Sequence, residues 1–123
     1  MPALALKVAA ARFHDEGAPF LSARRLAEGL GISLAELASL AGVARNTLTA
    51  KSGAQRVDAA LSLIVRIVAI ASEMAGGEAR AAIWFKHQPL PGWGGKTARD
   101  LVREGGAVKV LAYLEAVRSG VYA

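Results

Sequence analysis

Ser33-Leu34-Ala35-Glu36-Leu37-Ala38-Ser39-Leu40-Ala41-Gly42-Val43-Ala44-Arg45-Asn46-Thr47-Leu48-Thr49-Ala50-Lys51 is the stretch on which the fold turns. Ser33 followed by Glu36 predicts a capping box, with the serine oxygen closing one end and the Glu36 carboxylate reaching back to the Ser33 backbone. A short helix follows from Leu34 to Leu40, Ala41-Gly42-Val43 turns the chain, and a second short helix runs from Ala44 to about Lys51. Small Ala38 lets the two helices approach, Gly42 supplies a backbone conformation that other residues resist, and Val43 and Leu48 lock the angle. This is the spacing of a helix-turn-helix. A plain helical hairpin with a solvated polar face shares it.

On either side the apolar residues keep a helical period, with no short alternating runs, so the fold class is all-α. Upstream, residues 3–14 read as an alanine-rich helix ending before Glu16-Gly17-Ala18-Pro19, and a second helix runs from Ser22, its N-cap, to Leu30, stopped by Gly31. Downstream, residues 55–75 read as the longest helix, apolar around most of its circumference except for a stripe of Asp58, Ser62 and Arg66. Such a helix must be covered either by its own fold or by a second subunit. Gly76-Gly77 ends it, dividing the chain into 1–76, the helix-turn-helix and dimerisation region, and a small helical domain, 77–123.

In the second helix of the motif, Arg45, Asn46, Thr47, Thr49 and Lys51 are side chains able to reach base edges or phosphates. Arg24, Arg25 and Arg56 can add phosphate contacts. The net charge of +5 agrees with a polyanionic partner. Zero cysteines exclude a disulfide framework and fit a reducing cytoplasm. The 54% apolar fraction is enough to fold, but much of it is alanine, so the core is thin and a homodimer is expected. No membrane segment is expected. Lys7 and Arg12 interrupt the first apolar run, and Ala59 to Ala71 is shorter than the ~20 residues a bilayer requires.

The C-terminal domain has its own sequence of signals. A short helix over 78–86 delivers Trp84 to a Pro/Gly loop containing Trp93, and Gly94-Gly95-Lys96-Thr97 leads to a helix capped by Thr97, with an acid in its first turn. Gly105-Gly106 precedes a last helix lined by Ala107, Val110, Leu111, Leu114 and Val117, and the chain closes on Gly120-Val121-Tyr122-Ala123.

Residues 22 to about 70 resemble the helix-turn-helix of Xre-type bacterial regulators, and the order of features from Trp84 to Tyr122 resembles the toxin-binding domain of Xre/MbcA/ParS antitoxins of type II toxin–antitoxin systems. Two positions depart from the family pattern: Ala98 stands where relatives often have proline and Trp93 where they often have leucine. The resemblance implies a cognate partner of the RES or ParT/MbcT type, an NAD-consuming toxin with an ADP-ribosyltransferase-like fold. It also implies operator DNA as a second partner. Its toxin-binding residues would be Trp84, Trp93, Lys96, Arg118, Gly120, Val121, Tyr122 and Ala123. Tyr122 offers an aromatic ring for an aromatic-lined slot, and the carboxylate of Ala123 an anion where a nucleotide phosphate would sit. The alternative is a stand-alone helix-turn-helix regulator whose C-terminal half only dimerises.

Other chemistries find no support. Gly95-Lys96-Thr97 lacks the glycine that a phosphate loop needs at position 90, where the chain has Leu90. His14 and His87 lack ligand-spaced neighbours, so no metal is expected. No nucleophile, base and orienting group can be assembled, so neither catalysis nor a cofactor is expected.

Overall fold

A computed structural model describes residues 12–14, 21–50 and 54–120. Among them seven helices and no strand are found: α1 (Ala23–Leu30), α2 (Leu34–Ala41), α3 (Arg45–Thr49), α4 (Ala54–Ala75), α5 (Glu78–His87), α6 (Ala98–Arg103) and α7 (Ala107–Arg118). The all-α expectation holds. Of the helix expected over residues 3–14, only the end lies within the described residues, where Phe13 is buried.

The helix ends follow the local chemistry. Ser22 accepts the Arg25 N–H and Ser33 the Glu36 N–H, so each serine satisfies a donor left open by the first turn. Gly42, at φ 71°, ends α2 in the left-handed conformation, and Val43 N–H returns to the Ala38 carbonyl, which fixes the turn of the motif. Gly106 is required by proximity instead: a Cβ there would sit 2.9 Å from the Leu101 carbonyl oxygen, which Gly106 N–H already meets at 2.7 Å. The α6–α7 corner closes tightly for that reason.

The second helix of the motif is shorter than expected from Ala44 to Lys51. Ala44 has no side-chain oxygen to cap it and Ala50 is already extended, which leaves Arg45–Thr49.

The core is continuous. Leu26 and Leu30 of α1, Leu37 of α2, Leu61, Ile64, Val65 and Ile67 of α4, Phe85 of α5, Leu101 of α6 and Val110 of α7 belong to one buried cluster. Packing of α4 against α5 and α7 covers most of its apolar circumference within this chain. The stripe read as polar has structural tasks: Asp58 accepts the Leu21 N–H at 2.7 Å, Ser62 donates to the Asp58 carbonyl, and Arg66 is exposed. No single helix among the described residues is long and apolar enough to cross a membrane.

Candidate functional site

Two surfaces hold the residues singled out above. On α3, Leu48 is buried and anchors the helix, which turns Arg45, Asn46 and Thr49 to the exterior and leaves Thr47 half-buried. Lys51 lies outside the described residues. Arg24 and Arg25 of α1 and Arg56 at the start of α4 are also exposed.

The C-terminal surface starts from the loop between α5 and α6. Leu90 is buried, its N–H donates to the Lys96 carbonyl at 2.8 Å, and Lys96 N–H donates to the Trp93 carbonyl at 3.1 Å. Pro89 and Thr97 form an isolated antiparallel bridge across the loop base. The loop is thereby closed on itself, and Trp93 rests edge-on against Tyr113 of α7, with ring centroids 5.7 Å apart. Lys96 pairs with Glu104 at 2.7 Å on the surface.

Thr97 caps α6 with a complete capping box: its hydroxyl accepts the Asp100 N–H at 3.2 Å and the Asp100 carboxylate accepts the Thr97 N–H at 3.0 Å. The Thr97 backbone N–H holds the Asp100 carboxyl below the usual carboxylate range, helped by the Thr97 hydroxyl and by Arg103 and Arg99, with desolvation opposing.

Trp84 of α5 is half-buried and, with Ala71, Met74 and Ala75 of α4 and Leu114 of α7, lines an apolar groove of about 180 Å³. Arg118, one turn beyond Leu114, bonds to Glu115 and lies 3.9 Å from Glu73 of α4. Gly120 is exposed at φ 86°, whereas Val121, Tyr122 and Ala123 lie outside the described residues. All three large hydrophobic side chains that are exposed among the described residues, Met74, Ile83 and Val108, fall in this C-terminal part.

The two surfaces lie in spans that match two known families. Residues 9–68 match the antitoxin Xre-like helix-turn-helix domain, and residues 71–120 match the antitoxin Xre/MbcA/ParS C-terminal toxin-binding domain. The chain belongs to the Xre/MbcA/ParS antitoxins. It is thus the antitoxin of a toxin–antitoxin system, with a toxin partner and a DNA-binding motif. No curated protein and no solved structure matches it significantly.

One feature of the antitoxin corrects the sequence reading. Glu36 does not reach back to Ser33; its carboxylate turns to the other matched region, taking Arg99 Nη1 at 3.0 Å and Arg103 Nη2 at 3.5 Å. Arg99 also donates to the Lys86 carbonyl at 3.2 Å, tying α2, α5 and α6 together. Two guanidinium groups outcompete a single backbone N–H for that carboxylate. The complete capping box lies at Thr97–Asp100, where the sequence predicts a cap and a favourable acid.

Proposed function

We propose that this antitoxin neutralises an NAD-consuming toxin of the RES or ParT/MbcT type, with an ADP-ribosyltransferase-like fold, by covering its nucleotide pocket with residues Arg118 to Ala123. In this reading Trp84, Trp93 and Lys96 support the toxin contact. The antitoxin acts in the bacterial cytoplasm as a homodimer without a cofactor or catalysis of its own. Through Arg45, Asn46, Thr47, Thr49 and Lys51 it represses its own operon.

The observation that carries this reading is the match of residues 71–120 to a toxin-binding domain, on a surface that displays apolar side chains. The helix-turn-helix match and the exposed Arg45, Asn46 and Thr49 support operator binding.

The test is to co-express the toxin encoded beside the antitoxin gene with the full chain and with a chain ending at Ser119, following growth and cellular NAD. The full chain is expected to protect and the shortened one to fail. Equal protection by both would sink the blocking role of the last residues.

A further inference from the structure

The groove between α4, α5 and α7 is not explained by the fold. A soluble chain this small has strong reason to cover its apolar surface, yet Ala71, Met74, Ala75, Trp84 and Leu114 leave an open apolar recess with Met74 44% exposed at its edge. Its volume of about 180 Å³ is below the ~300–1,000 Å³ of small-molecule sites, a size for one side chain and not for a metabolite.

We infer that this groove is the anchoring site for the toxin, receiving one apolar side chain, aliphatic or aromatic, from the toxin surface. Three observations favour the toxin over other occupants. Every lining residue belongs to residues 71–120, the span that matches a toxin-binding domain. Methionine at the rim is a flexible, polarisable contact residue that shapes itself to a partner.

The third observation is polar. Arg118 stands one helical turn from Leu114 on the same side of α7, and its Nη1, though buried, makes no hydrogen bond: the Glu73 oxygen at 3.9 Å is beyond bonding distance. Arg118 is held there by its ion pairs with Glu73 and Glu115, so the recess has a charged rim on which a toxin carbonyl or carboxylate seated beside the apolar anchor finds a guanidinium with an unused N–H. The resulting pattern, an apolar knob in a recess with a charged rim, is how a few residues come to dominate protein interfaces.

This inference rests on the reading of the chain as the direct partner of a toxin, and it divides the labour within that contact. The groove supplies affinity, while the residues after Ser119 block the pocket. Affinity and inhibition therefore separate.

The experiment uses the purified full-length antitoxin and the toxin encoded beside it, with affinity measured by calorimetry and folding checked by circular dichroism. Met74→Glu, a change at an exposed position, is expected to weaken binding at least tenfold by putting a charge at the mouth of the recess. Ala75→Phe, which fills the recess without adding charge, is expected to act in the same direction, and Met74→Leu to stay within about twofold of wild type. The chain ending at Ser119 is expected to keep most of the affinity while losing inhibition.

Wild-type affinity in both Met74→Glu and Ala75→Phe would overturn the proposal. So would a Met74→Glu protein that changes only the mass of the free antitoxin in sedimentation, because the groove would then join two copies. A hundredfold loss of affinity on removal of residues 120–123 would overturn it as well, making the chain end the anchor. Failure of the wild-type chain to bind the toxin at all would instead sink the functional reading beneath it.

Discussion

Residues 21–68 turn Arg24, Arg25, Arg45, Asn46, Thr49 and Arg56 outward, whereas residues 71–120 turn Met74, Ile83 and Val108 outward and hold many of their charges in pairs within the chain. Lys96 meets Glu104, Arg118 meets Glu115, and Arg103 meets Glu36 and Asp100. The contrast teaches that one core can present two kinds of recognition. Exposed cations and amides suit a phosphate backbone and base edges, and apolar side chains among internally paired charges suit a protein surface.

The most severe way to break the comparison is to ask whether the two regions are separate folding units. Phe85 is 1% exposed in the shared core, and Phe85→Ala is expected to cost about 3–5 kcal/mol. Urea unfolding followed by tryptophan fluorescence and by far-UV circular dichroism should give coincident single transitions, shifted together. Two resolved transitions would mean that the surfaces sit on independent cores.

The comparison sharpens on the DNA side with Arg45→Ala. Affinity for the antitoxin's own promoter is expected to fall about tenfold, with the salt slope reduced by about one phosphate contact, while toxin affinity stays unchanged. A change in toxin affinity would merge the two surfaces.

A smaller effect concerns the toxin-binding half alone. Thr97→Ala removes the cap of α6 and is expected to cost about 1 kcal/mol, measured in the same urea titration. Because the Asp100 carboxyl is held low in the folded chain, its contribution should be intact above the unfolded carboxylate value near pH 3.9 and fade as the pH falls through the lower folded value. Asp100→Asn should therefore flatten the acid side of the stability profile, and an unchanged profile would remove Asp100 from the capping account.

The smallest effect tests the seam. A double-mutant cycle with Glu36→Gln and Arg99→Lys is expected to show a coupling of about 0.5 kcal/mol, since both side chains are only 27% exposed yet still reached by water. Additive effects would make the pair incidental.

Much of this was legible from the chain because it is local. Ser22, Ser33, Gly42 and Thr97 act on partners within five residues, and each stands where its type and spacing predict. What stayed illegible is long-range. The Glu36–Arg99 pair spans 63 positions, and a Ser-x-x-Glu pattern looks the same whether its carboxylate bends backward or across to a distant helix. The Trp93–Tyr113 contact and the groove around Trp84 likewise exist only once α5 and α7 are packed. The ends of the motif's second helix are hard to read because alanine, favourable inside a helix, offers no side-chain oxygen at Ala44 and gives no sign that Ala50 is extended.

The 22-residue α4 runs unbroken past the place where one family match stops, at residue 68, and the other begins, at 71. A helix advances about 100° per residue, so the two faces share a fixed phase along one shaft. Deleting or inserting a single residue there would turn the apolar side chains beyond it by about that angle out of register with the core they share with α1–α3. Exchange of toxin specificity between relatives would then have to conserve the residue count along α4, whatever happens to its side chains.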